Sequence, residues 1–159
     1  VAIIGGGAAG FFAASNIHNQ EIYIFEKDSK PLEKVRLSGG GRCNITNSDI
    51  DINSLANYYP RGFKELKQAF HRFNSSDTIK WFEDRGLKLK EEKEGKMFPV
   101  SDNSSSVVNL LCKCAEDNGT KIFFNKEVIS IIPKENKFIL KFRNELKDYS
   151  FDKVIITTG

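Results

Sequence analysis

Several features are scarce in this 159-residue chain, and each scarcity excludes a class of protein. Its three cysteines, Cys43, Cys112 and Cys114, are an odd number without paired zinc-type motifs, so neither a disulfide framework nor a metal site is predicted. No apolar run reaches the roughly 18 residues of a membrane span, and the N-terminus lacks the basic start and cleavage site of a signal peptide. We therefore expect reduced thiols and a cytoplasmic location.

An excess of one charge is also missing. The chain has 24 basic and 21 acidic residues, a net charge of +3, spread without long runs of one sign. This balance predicts no membrane partner and no clear nucleic-acid-binding surface. The mixed segment 88–96, KLKEEKEGK, is interpreted as a solvated hairpin or loop. With 40% hydrophobic and 28% charged residues, the composition is that of a globular protein.

The two ends of the chain fall at predicted strands. Residues 1–4, VAII, and residues 154–156, VII, are both short apolar runs. The length suits one main domain. We therefore expect residues 1–159 to be the N-terminal part of a longer protein, with a second domain and a final segment following Gly159.

The apolar patterns predict an α/β fold. A strand at 1–4, a small apolar helix at 10–17 and a strand at 22–25 open a βαβ unit in a parallel sheet. Residues 28–61 are rich in Gly, Asn, Asp and Pro, which favours a long irregular binding loop.

Helices and a small sheet are predicted after this loop. A helical stripe from residue 63 is expected to lie in the core, followed by helices at 76–85 and 104–118 and a short strand at 96–99. Cys112 and Cys114, two apart on the last helix, are predicted to pack in the core rather than to share a metal. Strands at 121–124, 128–132, 138–142 and 149–157 suit an antiparallel sheet that leads back to the parallel one. The stripe consists of Phe63, Leu66, Phe70 and Phe73.

Residues 5–10, GGGAAG, fit the pattern G-x-G-x-x-G at the turn between the first strand and helix. Gly5 would permit the tight turn, Gly7 the approach of a pyrophosphate, and Gly10 close helix–strand packing. Glu26, at the end of the next strand, would accept hydrogen bonds from ribose hydroxyls and disfavour a 2′-phosphate. The alternative, a glycine turn in an unrelated α/β fold, lacks this combination of motif, helix, strand and acid. A dinucleotide site is predicted.

A second glycine run, SGGGRCNITN at 38–47, allows close backbone approach to a flat or charged ligand, and Arg42 and Asn44 add donors. Together with GGGAAG at 5–10, MFPVSDNSSSVV at 97–108 and ITTG at the end, this run resembles the BaiN/RdsA (YhiN-type) family of NAD(P)/FAD-dependent oxidoreductases. The resemblance spans essentially the whole chain. It implies a Rossmann-like FAD-binding domain with a small antiparallel β-meander. The family commonly has Ala where Thr157 stands.

The resemblance also implies which residues meet FAD. Gly5, Gly7, Ala9 and Gly10 would contact the pyrophosphate, Glu26 the adenosine ribose, and the backbone of Val128 the adenine. Residues 38–44 would lie along the cofactor towards the flavin. Thr158 and Gly159 would lie at the strand end near the cofactor. The predicted cofactor-binding set is Gly5, Gly7, Ala8, Ala9, Gly10, Glu26, Lys27, Ser38, Gly39, Gly40, Gly41, Arg42, Asn44, Val128, Thr158 and Gly159.

No catalytic side chain is predicted firmly, because the flavin itself performs hydride transfer. Cys43 is a weak candidate proton donor, and it lacks the second cysteine of a disulfide reductase. His18 and His71 are interpreted as structural or surface residues. The resemblance implies FAD-dependent reduction of carbon–carbon double bonds with NAD(P)H, on a small molecule or an RNA base. A non-catalytic flavin-binding sensor and a nicotinamide-only Rossmann dehydrogenase are the alternatives.

Overall fold

The computed structural model describes residues 1–159, which divide into two compact units, Val1–Arg36 with Val108–Gly159, and Leu37–Val107. The helices are α1 (Ala8–Asn16), α2 (Glu33–Gly41), α3 (Ile52–Asn57), α4 (Phe63–Phe70), α5 (Ser75–Glu83) and α6 (Ser104–Asp117). The strands are β1 (Ala2–Ile4), β2 (Tyr23–Phe25), β3 (Thr46–Asn47), β4 (Leu89–Glu91), β5 (Lys96–Pro99), β6 (Lys121–Phe123), β7 (Val128–Lys134), β8 (Lys137–Phe142), β9 (Tyr149–Phe151) and β10 (Val154–Ile156).

The first unit is built on a parallel sheet with strand order β10-β1-β2-β6. Ile3 lies opposite Ile24 on one side and Ile155 on the other. β1 is buried along its whole length, as expected for a strand covered on both faces. The predicted βαβ opening is therefore confirmed, with α1 beginning at Ala8, two residues earlier than predicted.

A three-stranded antiparallel meander, β7-β8-β9, completes this unit. Side chains of the parallel sheet and of the meander share one hydrophobic cluster, in which the rings of Phe25 and Phe142 meet edge to face at 4.8 Å. The fold class predicted from the sequence is thus confirmed. The buried members of this cluster are Ala2, Ile4, Phe25, Leu140 and Phe142.

Two predicted strands of the tail are placed differently. β6 pairs with β2 in the parallel sheet instead of joining the meander. The single strand predicted over 149–157 is two strands, because the chain breaks its pairing at residues 152–153. β9 stays in the meander, while β10 pairs with β1.

The second unit contains a small antiparallel sheet, β3-β5-β4, with α3, α4 and α5. The hairpin predicted for the charged segment is present, since β4 and β5 pair in register. The helix predicted at 76–85 is α5, which buries Trp81 and Phe82. Its first turn carries a capping box between Asn74 and Asp77, and Gly86 follows with a φ of 86°.

The core position predicted for the stripe on α4 is wrong. α4 buries no residue and its Phe63 is 37% exposed, while Phe73, three residues after the end of α4, is 39% exposed. A spacing of three to four residues identifies an amphipathic face, but it does not show that another element covers this face. Leu66 and Phe70 are half-buried.

The long irregular loop predicted at 28–61 is only partly irregular. α2, β3 and α3 lie within it, and Asp51 caps α3 by accepting a hydrogen bond from the Ser54 amide at 2.7 Å. The helical angles of α2 are interrupted at Ser38, Gly39 and Gly40. Elements of two to nine residues are too short for periodicity to reveal.

The helix predicted at 104–118 is α6, and Gly119 follows it with a φ of 72°. Leu111 and Ala115 are buried on it. Cys112 and Cys114 are half-buried rather than fully in the core. Across all 159 residues, no helix combines the length and apolar character required to cross a membrane.

Candidate functional site

The glycine turn at residues 5–7 links β1 to α1. Gly5 has a φ of 109°, and its amide donates to the carbonyl oxygen of Phe25 at 2.9 Å. A Cβ on Gly5 would lie 2.8 Å from the Thr157 carbonyl oxygen, and one on Gly10 would lie 2.1 Å from the Gly5 carbonyl oxygen. The fold itself therefore requires glycine at both positions.

Gly7 differs from these two glycines, since a Cβ built there meets nothing within 4 Å. Gly7 is also the N-cap of α1, and no side chain caps the helix. The first-turn amides of a helix have no partner within the helix, and together they favour an anion. The open space at Gly7 and the uncapped turn through Ala8, Ala9 and Gly10 fit a pyrophosphate.

Glu26 lies at the end of β2 beside this turn. One carboxylate oxygen accepts from the Gly6 amide at 2.6 Å, and the other accepts from the Asp28 amide at 2.8 Å. A carboxylate has about four acceptor positions, so the two bonds leave capacity for ribose hydroxyls. A Cβ on Gly6 would come within 2.9 Å of the Glu26 Cβ, which explains a glycine that the motif does not require. Lys27, also in the predicted set, is exposed next to Glu26.

The end of β10 also borders the turn. The Thr157 hydroxyl lies 3.0 Å from the carbonyl oxygens of both Ile4 and Gly5 and donates its hydrogen to them. Thr158 and Gly159 are exposed, and a Cβ on Gly159 would lie 2.2 Å from the Lys34 ammonium nitrogen. The sequence did not reveal Lys34 or the role of Thr157, because both depend on distant parts of the chain meeting.

The second glycine run lies in the other unit, where it has a left-handed conformation. Gly39, Gly40 and Gly41 have φ angles of 57°, 66° and 85°. A Cβ on Gly39 would lie 2.8 Å from the Phe98 ring, whereas Gly40 and Gly41 have open space around them. Glycine at position 39 is thus required by packing, and the two following glycines present accessible backbone.

The polar side chains of Arg42 and Asn44, which follow this run, form hydrogen bonds within the protein. Arg42 donates to Glu92 at 2.7 Å and to Asp102 at 3.4 Å. With the side-chain amide of Asn44 turned so that its nitrogen faces acceptors, this nitrogen donates to the carbonyl oxygens of Thr46 at 3.0 Å and Met97 at 3.3 Å. The two donors predicted to face a ligand therefore already have protein acceptors.

Cys43 is 6% exposed and has a φ of 65°. Burial raises the pKa of its thiol, and a hydrogen bond with the Ser38 side chain lowers the pKa by less. The thiol therefore stays protonated at neutral pH, and its burial separates it from solvent.

The remaining predicted residues are dispersed. Val128, in β7, is half-buried and packs against the hydrophobic cluster of the first unit. His18 Nδ1 lies 3.4 Å from Asn118 Oδ1, and His71 is exposed. The structure brings the turn at 5–10, Glu26 and the end of β10 together in one unit.

A strand, a glycine turn, an uncapped helix and an acidic residue after the second strand define an α/β domain of the Rossmann type that suits a dinucleotide. The family model of the HI0933-like protein Rossmann domain matches residues 1–159. The chain belongs to this family, which confirms the resemblance stated above.

Proteins similar to this chain include two curated relatives. It is 29% identical over 159 residues to the ribosomal RNA dihydrouridine synthase of Escherichia coli K12, covering 99% of this chain and 38% of the relative. It is 27% identical over 163 residues to the 3-dehydro-bile acid delta(4,6)-reductase of Clostridium scindens, covering 100% of this chain and 38% of the relative. The chain thus spans about two fifths of the length of these relatives.

Among solved structures, the open conformation of a flavocytochrome c3 fumarate reductase superposes with a TM-score of 0.71. The match covers 99% of this chain and 33% of the reductase chain at 16% identity. At this identity the likeness shows the shared fold.

Proposed function

We propose that this chain forms the ADP-binding part of an FAD-dependent oxidoreductase that reduces carbon–carbon double bonds with electrons from NADH or NADPH. The observation that carries the proposal is the contrast within the glycine turn. A Cβ on Gly5 or Gly10 would lie 2.8 or 2.1 Å from a backbone oxygen, whereas a Cβ on Gly7, at the uncapped start of α1, would meet nothing within 4 Å. Packing within the protein does not require glycine at position 7. Close approach of a pyrophosphate to the backbone would require it.

Each residue of the turn would have a distinct part in binding. The first-turn amides of α1 would donate to the pyrophosphate, and the helix dipole would favour its negative charge. Glu26 would accept from the adenosine ribose while keeping its bonds to the amides of Gly6 and Asp28. Its negative charge would repel a 2′-phosphate, so FAD suits this site better than a 2′-phosphorylated nucleotide.

The reaction class is supported by the names of two relatives. A dihydrouridine synthase and a delta(4,6)-reductase both imply addition of hydrogen to a double bond. A bound flavin would supply the hydride chemistry. The protein would hold the ADP half of the cofactor with the turn at residues 5–10 and with Glu26. The two relatives act on unlike molecules, so their names support a reaction class and leave the substrate open.

The compartment is a further part of the proposal. Cys43, Cys112 and Cys114 are all free thiols. Free thiols persist in a reducing environment, and we propose the cytoplasm.

The test is to purify the full-length protein, reconstitute it with FAD, and record its visible spectrum before and after anaerobic addition of NADH or NADPH. The proposal predicts a bound flavin spectrum that bleaches on reduction. A protein that stays colourless after reconstitution contradicts FAD binding, and nicotinamide-dependent turnover by that colourless protein identifies a dehydrogenase instead. A bound flavin that neither nucleotide reduces contradicts the proposed electron donor and favours a binding or sensor protein.

A further inference from the structure

Arg42 is the centre of a charged cluster in the second unit. Its Nη1 donates to Glu92 Oε1 at 2.7 Å and to Asp102 Oδ1 at 3.4 Å. Lys90 approaches the same two carboxylates. Two cations and two carboxylates thus alternate, and each carboxylate is shared. The hydrogen bond with Glu92 is the main cause that raises the pKa of Arg42, and the bond with Lys90 is the main cause that lowers the pKa of Asp102.

The same arginine lies over the ring of Phe98, with its guanidinium carbon 4.2 Å from the ring centroid. Phe98 is 4% exposed on β5, so it is a fixed surface. The backbone of Gly39 also rests against this ring, since a Cβ there would lie 2.8 Å from Phe98 Cε1. Arg42 and Gly39, at the two ends of the glycine run, therefore both pack against the ring of Phe98.

The glycine run needs these stabilising contacts because its backbone has a left-handed conformation. Gly39, Gly40, Gly41 and Cys43 all have φ angles between 57° and 85°. Three of these residues are glycines with wide conformational freedom when unfolded, and Cys43 has a side chain that disfavours this region. The Cys43 amide closes the turn by donating to the Ser38 carbonyl oxygen at 3.0 Å.

We propose that Arg42 is a positioning residue: its guanidinium holds the turn at residues 38–44 through Glu92, Asp102 and Phe98, and leaves the open backbone of Gly40 and Gly41 available to a ligand. This replaces the expectation that Arg42 itself donates to the cofactor. The inference rests on the proposed FAD site. Gly40 and Gly41 are the open positions of the run, with nothing within 4 Å of a Cβ on either.

Two variants of the full-length protein separate positioning from direct binding. Arg42→Gln removes the cation, and the double variant Glu92→Gln with Asp102→Asn removes its anionic partners but leaves the arginine. If Arg42 positions the turn, each variant weakens FAD binding about tenfold or more, as expected for the loss of a charge-assisted hydrogen bond. The triple variant should then bind FAD only slightly more weakly than Arg42→Gln or the double variant, because both of these variants remove the same interaction.

Direct binding predicts a different result for the double variant. In the double variant Arg42 has lost its acceptors and could donate to FAD, so this variant would bind FAD as tightly as the wild type or more tightly. Arg42→Gln would still lower the FAD affinity. That pattern overturns the inference. Arg42→Lys tests the geometry, because a lysine keeps the charge but not the planar fork, and only partial recovery of FAD affinity is expected. Glu94→Gln is the matched control on the same hairpin, since Glu94 pairs with Lys96 outside the cluster, and it should leave affinity unchanged.

A second readout needs no cofactor. Alkylation of each cysteine is followed by mass spectrometry in the FAD-free protein. Cys43 should react slowly in the wild type because it is buried, and about tenfold faster in Arg42→Gln and in the double variant. Cys112 and Cys114 serve as internal controls with unchanged rates. Unchanged alkylation of Cys43 in both variants overturns the positioning role, whereas absence of FAD binding by the wild type contradicts only the proposed function.

Discussion

The Thr157 hydroxyl lies 3.0 Å from the carbonyl oxygen of Gly5, its hydrogen-bond acceptor, and so ties the end of β10 to the start of the glycine turn. The two residues are 152 positions apart in the sequence. The same hydroxyl contacts the Ile4 carbonyl oxygen at 3.0 Å. Thr157 therefore has a structural role of its own, in that it joins the end of β10 to the glycine turn.

Replacing the Thr157 hydroxyl should loosen this connection. Thr157→Val keeps the shape but cannot donate, and we expect it to lower the free energy of unfolding by about 1 kcal/mol. Thr157→Ser keeps the hydroxyl and should lose less stability than the valine variant. Urea denaturation of the three proteins measures the difference, and equal stabilities of the serine and valine variants would refute the hydrogen bond.

Gly10→Ala should be far more damaging than Gly7→Ala. The new methyl at position 10 would meet the Gly5 carbonyl oxygen at 2.1 Å, whereas at position 7 it meets nothing within 4 Å. Because the methyl would meet backbone rather than a flexible side chain, little relaxation is possible. We therefore expect the free energy of unfolding to fall by several kcal/mol, on the scale of overpacking in a core. Thermal unfolding of the FAD-free variants tests the order, and equal melting temperatures would show that the turn adapts.

Glu26→Gln should relax discrimination against a 2′-phosphate. The carboxylate charge would be gone while an oxygen acceptor remains for the Gly6 amide. We expect the preference for ADP over its 2′-phosphorylated analogue, measured by competition against FAD, to fall roughly tenfold. Glu33→Gln, a charge change at an exposed position of α2, is the control. An unchanged preference in Glu26→Gln would remove Glu26 from the ribose site.

The ion pair between Glu127 and Arg143 should make stability depend on pH. Arg143 donates to both carboxylate oxygens, at 2.6 and 2.9 Å, and this hydrogen bonding is the main cause that lowers the pKa of Glu127. Stability from a carboxylate with a lowered pKa is complete above its unfolded value and is lost as the pH falls through the folded value. The stability difference between wild type and Glu127→Gln should therefore shrink between about pH 5 and pH 3. Urea midpoints across this range test it, and a constant difference would contradict it.

The elements that sequence patterns predicted well are those with strong local signals. β1 and β2 are short runs of apolar residues because both faces are buried, and Gly5 and Gly10 stand where the backbone passes too close for a side chain. α5 and α6 each end before a glycine with positive φ, at residues 86 and 119. In each case the physical cause lies within a few residues of the signal.

The features that the sequence did not predict depend on contacts between distant residues. The stripe on α4 has the correct spacing, but burial depends on a covering element that spacing does not specify. Arg42 has the chemistry of an anion-binding residue, yet its acceptors Glu92 and Asp102 are 50 and 60 positions away. Lys34 likewise meets Gly159 only after the sheet forms.

Binding of FAD at the glycine turn is tested by the FAD dissociation constant of full-length Gly7→Val, measured by titration of the FAD-free protein. A Cβ at position 7 meets nothing within 4 Å, so we expect valine to occupy the open space at the N-terminus of α1, where the pyrophosphate is proposed to bind. If the pyrophosphate binds there, we expect the FAD affinity to fall about a hundredfold or more, with the melting temperature of the FAD-free protein close to that of the wild type. Wild-type FAD affinity in a folded Gly7→Val protein would contradict it.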